Sequence, residues 1–142
     1  MKITNVLVID AQGGGLGKQL ITSMRKEIEG LHITAVGSNS LASSAMLKAG
    51  ADEAATGENA VVVCCKKADL IIGPIGIVIA DAMLGEITAK MAAAVAQSQA
   101  ARILIPFSNC DNYIAGVSDF GTSRLIADAL SQLKKMAAQR QS

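Results

Sequence analysis

Gln12-Gly13-Gly14-Gly15-Leu16-Gly17-Lys18 is the stretch of this chain best suited to hold a ligand. A phosphate lowered onto a strand-to-helix turn needs backbone N–H groups at close range, which side chains would obstruct. It also gains from the positive end of the helix dipole. The glycines supply the first condition, and the helix expected after them supplies the second. Lys18 then falls in the first turn of that helix, where a cation opposes the dipole unless an anion is present. Gln12, Gly13, Gly14, Gly15, Leu16, Gly17 and Lys18 are therefore the expected anion-binding residues. The competing reading is that the glycines serve only close packing of helix on strand. Their place directly after a strand favours the phosphate.

Three stricter templates fit these residues only in part. The P-loop pattern G-x-x-x-x-G-K-[ST] matches Gly17-Lys18, but Gln12 replaces its first glycine and Gln19 the hydroxyl that would hold magnesium. The dinucleotide pattern G-x-G-x-x-G matches Gly13 and Gly15 and meets Lys18 at its third place. The short-chain dehydrogenase turn T-G-x-x-x-G-x-G matches Gly15 and Gly17 but begins on Asp10-Ala11. The Tyr-x-x-x-Lys of those enzymes is absent, because Tyr113 is the one tyrosine and is followed at four by Val117.

An NAD site usually adds an acidic residue after the second strand, about 20 residues past the glycines, to hold the ribose hydroxyls. Here that place reads Gly37-Ser38-Asn39-Ser40. Ser38 and Asn39 could bond a ribose or its phosphate, and they serve equally well as a helix cap. Gly73-Pro74-Ile75-Gly76 is a second glycine loop, where Gly73, Pro74 and Gly76 would meet the middle of a dinucleotide or form only a rigid turn. Asp81, Glu86 and Lys90 read as solvated helix charges rather than an acid and base pair. Cys110, in the polar loop Ser108 to Asn112, could expose a thiolate. The one histidine, His32, is expected at the far edge of the sheet, so a Cys and His pair is not expected. No catalytic group and no metal site is assigned.

These residues need strands and helices to place them. Val6 to Ile9 is a continuous apolar run ending at glycines, the mark of a strand buried on both faces of a parallel sheet. Leu16, Leu20, Met24 and Ile28 outline a helix ending near Gly30. Ile33 to Val36 is the second strand, followed by a helix with Leu41, Ala45 and Ala49 on one side and Gly50 as its stop. Asp52 to Thr56 makes a short third strand. Glu58 to Lys67 contains β-branched Val61-Val62-Val63, yet a parallel strand at Leu70 to Gly73 requires a crossover, so helix is expected. Apolar helical material to Leu84, a Thr88-capped helix to about Ser98, and a strand from Arg102 to Pro106 follow. Tyr113 to Val117 is a candidate edge strand. Thr122 is expected to cap a last helix bearing Leu125, Ala129, Leu133 and Met136.

The pattern is α/β: one doubly wound, mainly parallel Rossmann-like sheet with helices on both faces, formed as a single domain over residues 1–142. Such sheets bind ligands outside the carboxyl ends of their strands where the strand order reverses. Strands one and four would flank that crevice with Ala11 to Lys18 and Gly73 to Ile77.

The totals agree. Hydrophobic residues make 51% of the chain and aromatics 2%, so a core of Ala, Val, Ile, Leu and Met must pack closely around the 13 glycines. A net charge of +1 gives no footprint for nucleic acid or an anionic membrane. No run reaches the roughly 18 uncharged residues of a membrane span, and the start does not resemble a signal peptide, so a cytoplasmic protein is expected. Three cysteines without zinc spacing favour Cys64 and Cys65 as small hydrophobes over a redox pair.

Four segments together resemble a small bacterial family classed as a domain of unknown function, short Rossmann-like proteins similar along nearly their whole length. They are Asp10 to Lys18, Ala45 to Ala51, Ala55 to Ala60 and Gly73 to Gly76. The resemblance implies the fold and the glycine turn, brings no assigned reaction, and adds Thr56, Glu58 and Asn59 as candidates near the same edge. Two functions follow as expectations. The favoured one is a nucleotide or dinucleotide binding module for a small phosphate-containing ligand, a sensor or subunit without its own catalysis. The alternative is a small NAD(P)-dependent oxidoreductase whose pocket forms across a homo-oligomer interface. That interface would come from Ile75 to Leu84 and the Met91 to Ala96 face.

Overall fold

The computed structural model describes residues 2–106, 112–117 and 121–139. Among them, five parallel strands form one sheet in the order β3-β2-β1-β4-β5. These are β1 (Asn5–Asp10), β2 (His32–Gly37), β3 (Glu53–Thr56), β4 (Leu70–Pro74) and β5 (Ala101–Ile105). The helices are α1 (Gly15–Glu27), α2 (Ser40–Ala49), α3 (Glu58–Cys65), α4 (Ala89–Ala96) and α5 (Thr122–Gln139). The order reverses between β1 and β4, as a doubly wound sheet requires.

Alternation along β1 shows why both faces are covered. Val6 and Val8 enter a core with Leu16, Leu20 and Met24 of α1, Met46 of α2, and Ile126, Leu130 and Leu133 of α5. Leu7 and Ile9 point the other way, into a second core with Val61 and Cys65 of α3 and Met91 and Val95 of α4. A parallel strand with both faces buried has no polar side to show, hence its unbroken apolar run. The α3 crossover overrides the strand preference of Val61-Val62-Val63, since β3 and β4 are parallel and on opposite sides of β1.

The inner face of α2 is Ala42, Ser43 and Met46, and Leu41 is 67% exposed. That orientation follows from Ser43, whose hydroxyl accepts from Gly37 N–H at 3.2 Å and donates to the Ala55 carbonyl at 2.9 Å, tying the ends of β2 and β3. Three expectations are corrected. The expected helix to Leu84 is a single 3₁₀ turn, Ile75–Val78, followed by tight turns with Asp81, Met83 and Leu84 at positive φ. Ile77 and Ile87 are both buried in the same core, whereas ten residues of helix would separate them by about 15 Å, so the chain doubles back. The Asp81 N–H donates to the Ile87 carbonyl at 2.7 Å to close that loop. Residues 113–117 form a turn, with Val117 N–H donating to the Ile114 carbonyl, and not an edge strand. Thr122 is the first residue of α5, and the carbonyl of Gly121 takes the helix's opening hydrogen bonds. Among the described residues, no helix is long and apolar enough to cross a membrane.

Candidate functional site

At the reversal point between β1 and β4 a cleft of about 760 Å³ opens. One wall is the glycine turn from Gln12 to Leu16, with Asp10 and Ala11 at the strand exit. The other is Pro74 and Gly76, continued by residues 79–84, with Asn112 at the rim. The two strand exits expected to flank the crevice are therefore the two that do.

Within the turn the glycines have separate jobs. Gly14 has φ +73, and a Cβ there would lie 2.8 Å from the Cα of Ala42, so conformation and the close approach of α2 both require glycine. A Cβ on Gly17 would press into Met46 and Asp10, which makes Gly17 a packing residue. Gly13 and Gly15 have no such reason. A Cβ on either meets nothing within 4 Å, so open space lies above them, and both line the cleft. Among the described residues no protein acceptor takes the N–H of Gly13 or of Gly15.

Asp10 organises the turn from below. It is 5% exposed, with Oδ2 accepting from Gly17 N–H at 2.7 Å and Oδ1 from Ala11 N–H at 2.8 Å. Burial pushes its carboxyl above the ordinary value, more strongly than the Gly17 and Ala11 hydrogen bonds pull it down, and the nearby Glu86 charge adds to the rise. Asp10 thus supplies from inside the protein part of the negative charge that a helix N-terminus attracts. The sequence carries a signal for it, an acid that ends the apolar run Val6 to Ile9 three residues before the first glycine.

Glu86 does not line the cleft itself but braces its glycine turn, and it does not behave as a solvated helix charge. It lies outside any helix, beside the buried Ile87 that pins the end of the loop. Its Oε1 accepts from Gln12 N–H at 2.9 Å, from the Ser38 hydroxyl at 2.6 Å and from Asn39 Nδ2–H at 2.8 Å. The Ser38 hydroxyl first, then the Gln12 N–H, hold its carboxyl below the ordinary value. The Asn39 amide also donates to the Gln12 carbonyl at 2.9 Å, and its Oδ1 caps α2 by accepting from Ala42 N–H. These contacts secure Gln12 at φ 54, a left-handed conformation uncommon for a residue with a side chain.

Of the residues expected to bind, Gln12, Gly13, Gly14, Gly15, Leu16, Pro74 and Gly76 line the cleft, while Gly17, Lys18, Ser38, Asn39 and Gly73 do not. Lys18 is exposed one turn along α1. Ser38 and Asn39 are joined to Glu86, and Gly73 lets β4 approach β1, since a Cβ there would meet the Ile9 carbonyl oxygen. Thr56 hydrogen-bonds Ser43 at 2.6 Å, and Glu58 accepts from the Thr88 hydroxyl at 2.6 Å, so both tie elements together. Asn59 is exposed outside the cleft. Asp81 lines the cleft, and no lysine or arginine does among the described residues. Cys110, with the rest of 107–111, lies outside the described residues, and Asn112 of the same loop stands at the rim of the cleft.

His32 sits at the start of β2, at the opposite end of the sheet, 3.2 Å from Glu53. The Cys65 thiol is buried, and burial pushes it up to about 11, which leaves it a small hydrophobe. Met91, Ala92 and Val95 of α4 are core residues, so most of the apolar surface assigned there to an interface is already covered. Among the described residues no three His, Cys, Asp or Glu side chains converge as a metal site.

The sequence model of a family described as a domain of unknown function (DUF3842) matches residues 5–138. No curated protein matches the chain. Among solved structures, it is similar to a dodecameric FMN-dependent Ubix-like decarboxylase from Escherichia coli O157:H7. The identity is 16% and the TM-score 0.43, over 94% of this chain and 76% of that one. At that distance nothing about ligand or assembly passes between them.

Proposed function

We propose that this chain, which belongs to the DUF3842 family of domains of unknown function, is a nucleotide-binding module that holds a nucleotide or dinucleotide in the cleft between the exits of β1 and β4. The observation that carries the reading is the open pair Gly13 and Gly15. Their N–H groups lack protein acceptors among the described residues, and the space above them is unfilled. An anion held there is held by backbone dipoles and the N-terminus of α1 rather than by a lysine, since no basic side chain lines the cleft among the described residues.

Binding is favoured over catalysis because the titratable side chains that line the cleft, among the described residues, are the carboxylates Asp10 and Asp81. Asp10 is already engaged with the backbone of the turn. Association of copies belongs to the same reading, supported by Leu84, 96% exposed at the border of the cleft. Light scattering on wild type and Leu84→Asp tests that part, and a monomeric wild type would sink it.

The ligand reading is tested by thermal shift against NAD, NADP, ATP, FMN and S-adenosylmethionine, with Gly13→Val and Gly15→Val alongside. The added side chains enter open space, so both variants should melt near wild type and lose the ligand response. Absence of a shift with every nucleotide overturns the proposal.

A further inference from the structure

The ribose-binding acid that a dinucleotide site places after its second strand is missing from Gly37 to Ser40, yet a carboxylate stands at that place all the same. Ser38 directly follows the last residue of β2, and its hydroxyl donates to Glu86 Oε1 at 2.6 Å. We propose that Glu86, delivered from the loop after β4, is the group that reads the sugar of the bound nucleotide, selecting a free ribose hydroxyl and rejecting a phosphorylated one. The proposal rests on the nucleotide reading above and names the class of ligand within it.

The hydrogen bonding gives the reason. Oε1 takes three donors, from Gln12, Ser38 and Asn39, which fix the carboxylate in position. A carboxylate has about four acceptor sites over two oxygens, so Oε1 is saturated. Among the described residues, Oε2 takes no protein donor. What remains is an immobilised acceptor with a single open oxygen, set just outside the cleft's lining and bonded to Gln12, which lines it. A ribose hydroxyl supplies the donor that such an oxygen lacks. A phosphate in the hydroxyl's place brings like charge against a carboxylate, and among the described residues no lysine or arginine lines the cleft to offset it. The side chains of Ser38 and Asn39 cannot welcome that phosphate either, because their donors are taken by Glu86 and the Gln12 carbonyl.

The test is calorimetric binding of AMP, 2′-deoxy-AMP and adenosine 2′,5′-bisphosphate to the wild-type chain and to Glu86→Gln. Glutamine keeps an acceptor oxygen for Gln12, Ser38 and Asn39 and removes the charge. Wild type should bind AMP about tenfold or more tightly than either analogue, the scale of one hydrogen bond to a charged group. In Glu86→Gln, AMP should weaken and the bisphosphate should not, so that the preference shrinks to a few-fold at most. Equal binding of all three by wild type overturns the proposal while leaving a nucleotide site intact, and so does a preference unchanged in Glu86→Gln. Failure of every nucleotide, NAD included, overturns the underlying reading and this one with it. If Glu86→Gln does not fold, the wild-type series alone decides.

Discussion

Asp10 is a charged side chain where charge is disfavoured, and its removal should show what it holds. Asp10→Ala leaves the N–H groups of Gly17 and Ala11 without their acceptor, and a loss of about 2–4 kcal/mol in urea unfolding is expected. Because burial raises its folded-state pKa above the unfolded one, the folded protein holds this proton more tightly. The contribution of Asp10 to stability is then fully present below the ordinary carboxylate value and is lost as pH rises through the raised one. Unfolding of wild type and Asp10→Asn across that range should show the stability of wild type falling relative to the variant as pH rises. The same charge opposes an anion on the turn above it. NAD, whose phosphates do not titrate there, should bind more tightly as pH falls through that window, and Asp10→Asn should flatten the dependence. Three glycines of the turn make a sharper comparison. Gly14→Ala should cost about 1–3 kcal/mol from its positive φ and its contact with Ala42, while Gly13→Ala and Gly15→Ala stay within about 1 kcal/mol of wild type.

The loop from Ile79 to Ile87 is the element whose form most departs from its composition. Leu84 is held at φ 58 with its side chain 96% exposed, so left-handed strain is not offset by burial. Leu84→Asn should raise stability by roughly 0.5–1 kcal/mol in urea unfolding, since asparagine tolerates that conformation better. An unchanged or lower midpoint would show that the loop is held by something the Leu84 side chain touches. At the end of the loop Thr88 starts α4. Its hydroxyl oxygen accepts from Met91 N–H at 3.1 Å while its proton goes to Glu58 at the start of α3. Thr88→Val removes both contacts and should cost about 1–2 kcal/mol.

At the scale of the whole molecule, the two exits that face each other across the cleft come from strands 60 and more residues apart in sequence, so a ligand bound there links both halves of the sheet. A nucleotide at 100 times its dissociation constant should add about 2.7 kcal/mol and raise the melting temperature by several degrees. Much of this architecture was legible in the sequence. The β1 run from Val6 to Ile9, the periodic helix after it and the glycines between them are local patterns, and topology rules then supplied the α3 crossover against the preference of its valines. The cleft's position followed from the same rules, because strand order decides where such a sheet opens. What tertiary structure alone decided is which side chains arrive there. The inward face of α2 was set by Ser43 bonding β2 and β3, and the fold of residues 79–87 by two isoleucines sharing one core. Both are contacts between segments that no local periodicity records. Glu86 is the clearest case. Its sequence neighbours mark it as an ordinary surface charge, and only the return of the loop to β1 and β2 brings it to Gln12, Ser38 and Asn39, because a carboxylate's role is fixed by the donors around it and those come from elsewhere in the chain.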